Sequence, residues 1–453
     1  MELSVKAIKG TKDTLPSESH KLQYIEQSAL EIARNYGFLE MRTPVFEYTE
    51  LFDRSVGETS DVVQKEMYTF TDKGDRSITL RPEGTAGAVR AFLEHGLFNE
   101  ALPQKVCYLT SCYRYEKPQA GRLREFHQFG VECFGAAPAL ADAEVISLAD
   151  SFFNYLGISD LTLEINSIGC PECRKKYTAA LKEYFAARKD ELCETCLSRL
   201  DRNPMRILDC KSPVCGEIAA GAPVVLDYIC DDCRAHFEQL KKYLETMGIE
   251  YKVNPLIVRG LDYYTRTVFE FVSNGENTKG LVLCGGGRYD GLIEELGGSP
   301  LPACGFAIGL ERLLMTMEDS GCEFPSAPAY DLALVTAGDE ALLKAVEIAQ
   351  ELRAEGFAVS VDTVGRSVKA QMKYANKVGA KYTAVIGGSE LEADKAVLKY
   401  MADGSQSDIS ISEFADEFSS FAIQKSVELL SEANLSGMGD ISQIKLNELF
   451  DNK

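Results

Sequence analysis

The residues of this chain best suited to do chemistry lie in the run Arg259-Gly-Leu-Asp-Tyr-Tyr-Thr-Arg-Thr-Val-Phe-Glu-Phe271. An arginine beside a glycine, one carboxylate and two adjacent tyrosines precede the alternation Thr267-Val-Phe-Glu-Phe271, which reads as a strand entering a pocket. Such a segment offers a fixed cation, Arg259, and the phenols of Tyr263 and Tyr264 to a small polar ligand. A second group is Tyr113-Arg114-Tyr-Glu116 with Gly121-Arg122-Leu-Arg124-Glu-Phe126. Arg114, on a strand, can hold a phosphate through two parallel hydrogen bonds, and a loop bearing Lys117, Arg122 and Arg124 can close over a polyanion. In a third group, Arg81-Pro-Glu83-Gly-Thr85, a carboxylate and a hydroxyl at a strand end suit an ammonium. Gln128 and Glu132, four apart on one strand, face the same side, with Tyr264 on a different strand. His127 alternates away from that side and reads as structural.

These groups need a scaffold, and the pattern supplies one. Leu22, Ile25, Ala29, Ile32 and Ala33 recur at helical spacing over residues 20–36, and Gly37 ends the helix. Residues 38–44 run extended towards Pro44. Residues 67–70 and 77–81 form a hairpin around Asp72-Lys-Gly-Asp75, residues 85–95 a helix, and residues 106–116 and 125–134 two longer strands. Antiparallel pairing of this kind is not the strand–helix–strand rhythm of a dinucleotide-binding domain. Gly285-Gly-Gly-Arg-Tyr-Asp-Gly291 reads as a tight turn that lets backbone approach a ligand, and Gly305-Phe-Ala-Ile-Gly309 as a strand feeding a helix over 310–317. After Pro325 and Pro328 the rhythm becomes α/β, with strands at 331–335, 358–361 and 382–386 and helices at 341–355 and 367–378, predicting a separate parallel-sheet domain. There Arg366, Lys369, Lys373, Lys377 and Lys381 fall on one helical face, a candidate phosphate track or a solvated lysine face.

Composition bounds the answer. At 453 residues the chain is expected to hold two or three domains. Its net charge of −21 argues against general affinity for nucleic acid, DNA included, and leaves room for a local basic track. Residues 1–15 have no apolar core of a signal peptide, and no run approaches a membrane span, so the expected compartment is the cytoplasm. Of 14 cysteines, many fall in a helical stretch as spaced pairs: Cys170 with Cys173, Cys193 with Cys196, Cys210 with Cys215, and Cys230 with Cys233. Eight thiolates in a reducing compartment can build two four-cysteine zinc sites, or one with spares, or stay free thiols.

Residues 113–135 resemble motif 2 of the class II aminoacyl-tRNA synthetases, Tyr36-Gly-Phe-Leu-Glu-Met-Arg-Thr-Pro44 resembles motif 1, and Gly309-Leu-Glu-Arg312 resembles motif 3. Glu125-Phe-His-Gln-Phe-Gly130 and the run from Arg259 look like the histidine-specific forms, so the chain resembles histidyl-tRNA synthetases over about residues 5–400. The resemblance implies an α+β fold: an antiparallel-sheet catalytic core over 1–169 and 251–322, with a cysteine-rich helical insertion at 170–250. A linker at 323–329, an α/β anticodon-binding domain at 330–424 and a tail at 425–453, polar and helix-prone, follow. It implies ATP with Mg²⁺, L-histidine and tRNA(His) as substrates, and a homodimer with motif 1 at its interface. It assigns Arg114 and Arg259 to the α-phosphate, Arg312 to the γ-phosphate, and Glu116, Arg122 and Phe126 to the rest of ATP. Glu83, Thr85, Gln128, Glu132, Arg259, Tyr263 and Tyr264 would bind histidine, with Glu132 and Tyr264 on the two imidazole nitrogens. Gln119 and Arg122 are candidates for the tRNA acceptor end, and Arg366, Lys369, Lys373 and Lys377, on the domain that resembles the anticodon-binding domain, for a further tRNA contact. No covalent nucleophile is required, because the substrate carboxylate attacks ATP. A regulatory paralogue of the ATP phosphoribosyltransferase and a plain tRNA-binding protein are the alternatives; an intact pocket and a basic α/β domain favour the enzyme.

Overall fold

The computed structural model describes residues 5–57, 60, 62–210 and 212–436. It divides into two units, residues 1–326 and 327–453. The proline-bearing stretch expected to link domains contains that division.

The first unit is built on an eight-stranded sheet. Across it run Leu39–Glu40, Gln104–Tyr113, Glu125–Phe134, Ala303–Gly309, Val282–Arg288, Thr265–Ser273, Leu161–Ser167 and Lys252–Val253. The six inner strands pair antiparallel, and the two short outer strands pair parallel with their neighbours. The period of two along Glu125–Phe134 sorts its side chains cleanly. Phe129, Val131 and Cys133 enter the main core, against Phe152, Phe153 and Phe306. Gln128, Gly130 and Glu132 point to the opposite face. The helix Ala139–Tyr155 buries most of its surface, leaving a stripe at Glu144, Ser147, Ser151 and Asn154, and lies beside Pro16–Asn35 and Asp231–Thr246.

The insertion is helical: Pro171–Ala186, Glu194–Arg202, the short 3₁₀ turn Pro204–Ile207, Pro213–Ala220 and Asp231–Thr246. It has its own small core around Tyr177, Leu181, Phe185 and Ile207. Its last helix sends Phe237, Leu240 and Leu244 into the main core. A fully buried ion pair, Arg288 Nη2 to Asp142 Oδ2 at 2.6 Å, is joined by His236 Nε2 at 3.1 Å from the same carboxylate. It ties a central strand, the helix Ala139–Tyr155 and the last insertion helix together.

The second unit has a five-stranded sheet in the order Val359–Val361, Leu332–Thr336, Tyr382–Ile386, Lys395–Tyr400, Gln406–Ser410. The first three strands are parallel, as expected. The last two add antiparallel, so the sheet is mixed rather than parallel. The boundary expected at 424/425 falls inside one helix, Phe414–Ser436; the rest of the tail lies outside the described residues. No single helix among the described residues is long and apolar enough to cross a membrane.

Three further expectations are corrected. The glycine run 285–287 is not a turn but part of the inner strand Val282–Arg288. Tyr264 lies in the turn just before Thr265–Ser273, not on a strand. Arg114 stands one residue past the end of Gln104–Tyr113.

Candidate active site

A cleft of about 1070 Å³ opens over the inner strands of the first unit. Glu83, Thr85, Arg114, Glu116, Arg122, Phe126, Gln128, Glu132, Arg259, Tyr263, Tyr264 and Arg312 all line it.

One end is buried and acidic. The Tyr108 hydroxyl donates to Glu132 Oε1 at 2.9 Å, and the Tyr289 hydroxyl donates to Oε2. Burial pushes the Glu132 carboxyl up to about 8, against the opposing pull of these donors. Tyr108 and Tyr289 escaped sequence reading. The available signal was Gly130, a glycine in mid-strand directly opposite Tyr108. A Cβ at Gly130 would lie 2.3 Å from the Tyr108 ring, so glycine there is what lets the phenol reach between Gln128 and Glu132. Glu83 has a double part. Its two oxygens accept the backbone N–H groups of Thr85 and Ala86 at 2.7 and 2.8 Å, closing the first turn of the helix Thr85–Glu94. Burial raises its pKa against those donors. Tyr263, Tyr264 and Tyr289 form a wall of three rings, with centroids 4.7 to 6.5 Å apart.

Arg259 occupies the middle. It pairs with Glu270, and its guanidinium stands 5.8 Å from the Tyr264 ring. Burial works against its charge, and Glu270 and Tyr264 outweigh that, so its pKa rises. Its Nε is buried with no hydrogen-bond partner, a donor left for something else. The glycine strand explains its seat: a Cβ at Gly285 would lie 2.0 Å from Arg259 Nη2. What approaches these glycines closely is protein: Arg259 at Gly285, the Gly305 carbonyl at Gly286 and the Thr267 carbonyl at Gly287.

The other end is basic. Arg114 Nε donates to the Pro82 carbonyl at 2.8 Å, and its guanidinium lies 5.3 Å from the Phe126 ring. Arg122 Nη1 donates to Glu116 Oε2 at 3.2 Å. Among the described residues Arg312 donates to two carbonyls, Gly121 at 2.9 Å and Val282 at 3.0 Å. Neither nearby acid takes it: Glu311 binds His127 at 2.8 Å and Glu318 binds Lys21 at 2.6 Å. Burial and the charges of Arg122, Arg114 and Arg259 hold the Arg312 pKa below its ordinary value. Positive charges facing one another across a cleft form a site for a polyanion. His127, bound through its ring and backbone N–H to Glu311, is structural as expected.

The loop did not assemble wholly as expected. Arg124 packs 4.0 Å from the Tyr115 ring rather than reaching the cleft, and Gln119 sits exposed while Arg122 lines the cleft. In the second unit the helix Val368–Lys377 presents Lys369, Lys373 and Lys377 exposed on one face. Arg366 precedes the helix and pairs with Asp362 at 2.6 Å; Lys381 follows it and pairs with Asp331 at 3.0 Å. Among the described residues the helix's basic face therefore carries three exposed lysines, with Arg366 and Lys381 outside it and paired.

Comparison with known proteins decides the family. The histidyl-tRNA synthetase family model matches residues 10–209 and 216–313, and an anticodon binding domain model matches 331–421. The chain belongs to the histidyl-tRNA synthetase family. A histidine–tRNA ligase of Clostridium novyi is 55% identical over 93% of this chain and 100% of its own. One of Caldanaerobacter subterraneus is 57% identical over 90% of this chain and 98% of its own. The apo histidyl-tRNA synthetase of S. aureus superposes with a TM-score of 0.79 at 41% identity, over 91% of this chain and 99% of that one. As a member of this synthetase family the chain has the α+β class II core and a separate anticodon-binding unit.

Proposed function

We propose that this histidyl-tRNA synthetase family member is a histidine–tRNA ligase: it activates histidine with ATP and passes the histidyl group to the 3′ end of tRNA(His). One observation carries the reading. A single cleft joins a buried carboxylate, Glu132, to a cluster of guanidiniums, with Arg259 between them. An imidazole suits the acidic end, its N–H facing Glu132 and its other nitrogen the Tyr264 hydroxyl. Glu83 faces the α-ammonium, with Thr85 and Gln128 beside it, and Tyr263 closes the wall.

ATP enters as its Mg²⁺ complex. Phe126 and Glu116 flank the adenosine side, Arg122 closes from the loop, and Arg114 and Arg312 hold the two ends of the triphosphate. In the first step a histidine carboxylate oxygen attacks the α-phosphorus; that bond forms, the bond to the bridging oxygen breaks, and diphosphate leaves. Arg259, with its unpartnered Nε, stabilises the negative charge gathering on the phosphoryl oxygens. In the second step the terminal ribose hydroxyl attacks the carbonyl of the mixed anhydride and AMP leaves. Positioning and electrostatics suffice, and no protein nucleophile takes part.

The same reading extends to partners. Lys369, Lys373 and Lys377 form a phosphate track for the tRNA body, and Gln119 with Arg122 meets its acceptor end. The enzyme works as a homodimer in the cytoplasm. Leu39 on the edge strand is 68% exposed, and Phe46, Tyr48 and Phe70, on a separate three-stranded sheet of Phe46–Tyr48, Ser77–Leu80 and Tyr68–Thr71, are 58%, 56% and 48% exposed. A second copy covering that apolar surface is the expected partner. Histidine-dependent exchange of diphosphate into ATP tests the central claim. Its absence in the purified protein would leave a regulatory or tRNA-binding role instead.

A further inference from the structure

None of the insertion's eight spaced cysteines lines the cleft, and the fold sorts them into two groups of four. Cys170 and Cys173 meet Cys230 and Cys233, while Cys193 and Cys196 meet Cys210 and Cys215. Within each group all sulfurs lie within 4.8 Å of one another, and none of the eight cysteines is in a disulfide. Individual separations are 3.5 Å for Cys170 to Cys173 and 3.8 Å for Cys193 to Cys210. Four sulfurs at the ordinary zinc–sulfur distance, arranged tetrahedrally, stand about 3.8 Å apart. A polynuclear iron–sulfur cluster would spread them wider. Backbone N–H groups also aim at the sulfurs, as suits thiolates: Cys230 to Cys173 at 3.1 Å, Cys193 to Cys215 at 3.4 Å and Ser212 to Cys210 at 3.5 Å. Among the described residues the hydrophobic support around the first group is slight, with Ile229 and Leu226 clustered beside its cysteines.

The two groups sit at different mechanical points. The first lies at the root of the insertion, where Pro171–Ala186 and Asp231–Thr246 begin. The second encloses the turn Pro204–Ile207. From that turn Arg206 reaches the Gly260 carbonyl and stands 3.6 Å from the Asp262 carboxylate, which Asn203 Nδ2 holds at 3.0 Å. Gly260 and Asp262 belong to the loop that carries Arg259.

We propose that the insertion holds two structural zinc ions, one in each four-cysteine group, and that the ion at Cys193, Cys196, Cys210 and Cys215 fixes the turn that seats the Arg259 loop. Asn203 and Arg206 are positioning residues in this arrangement. Zinc-bound thiolates stabilise small folds that lack a sufficient core. The seating of the loop rests on Arg259 acting at the α-phosphate; the metal content does not.

Full-length protein, expressed with zinc and purified under reductant, should contain two zinc ions per chain by mass spectrometry, matching the two groups. Cys173→Ser and Cys196→Ser should each retain one. A mercurial that titrates the native wild-type chain should release zinc in step with the reacted thiols. In diphosphate exchange, Cys196→Ser and Asn203→Ala should both lower kcat by roughly 10- to 100-fold with a much smaller change in the KM for histidine. Asn203→Ala should keep both ions. Folded wild-type protein without zinc, with all eight thiols freely reactive, would overturn the metal sites, as would iron in their place. A Cys196→Ser protein that lost one ion and kept its full kcat would overturn the seating role while the metal sites stood. Wild-type protein with two zinc ions and no exchange activity would instead overturn the enzyme assignment.

Discussion

At the residue scale, Glu132 shows how burial and donors set a carboxylate's task. Its folded pKa, about 8, stands above the ordinary 4.5, so the free folded protein keeps a proton that the unfolded chain releases. The linkage sign follows: this group's contribution to stability is full below about 4.5 and is lost as pH rises through about 8. Glu132→Gln should therefore flatten the pH dependence of the unfolding midpoint over that window, measured by urea titration at several pH values. It should also weaken histidine binding, because the imidazole exchanges a titratable carboxyl partner for a fixed amide. For Arg259, the orphaned Nε argues for a role that begins when phosphoryl charge develops. Arg259→Ala should lower kcat of diphosphate exchange by about 10²- to 10³-fold while changing histidine affinity much less. Equal losses in both would make it a ground-state binding residue.

At the scale of elements, the strands that carry the site were legible because their alternation is strong. In residues 125–134, Gln128 and Glu132 fell on one face as the pleat requires, opposite Phe129, Val131 and Cys133. The Tyr108 and Tyr289 contacts with Glu132 were not legible, because one depends on cross-strand register and the other on where the chain turns after Val282–Arg288, which no single segment encodes. The glycine run misled for a related reason. Three glycines in sequence read as a turn, yet here close contacts from Arg259 and from the Gly305 and Thr267 carbonyls demand them within a strand. The basic stripe was overcounted because helical spacing was carried past both ends of Val368–Lys377. The hairpin of Lys395–Tyr400 and Gln406–Ser410 went unread among polar residues, its burial alternation visible only once packed. The helix bearing Lys369, Lys373 and Lys377 supports a specific expectation. Changing all three to alanine should raise the KM for tRNA and reduce the salt slope of tRNA binding by about one per lysine. Diphosphate exchange, which needs no tRNA, should hold.

For the whole molecule, the buried Asp142–Arg288–His236 group is the point where core and insertion depend on one another. Arg288 is fully buried and also bonds the Ala136 carbonyl and Asp290, so removing its main counter-ion strands a charge inside the protein. Asp142→Ala should cost about 3–5 kcal/mol, read from denaturant unfolding. The division near residue 326 was legible from two prolines and a change of rhythm, whereas the order of strands was not. Only the completed sheet shows that Ala303–Gly309 inserts between Val282–Arg288 and Glu125–Phe134. That insertion has a consequence for biosynthesis. As the chain emerges from the ribosome, the hairpin of residues 104–134 is made early, but the neighbour that closes its inner edge arrives only after the entire insertion has been translated. Until then Glu125–Phe134 exposes unpaired backbone, and Phe129 lacks its ring contact with Phe306. The middle of the large sheet is thus closed late, well after its first hairpin is made, and the nascent first unit must be sheltered from aggregation meanwhile at the strand that carries Gln128 and Glu132.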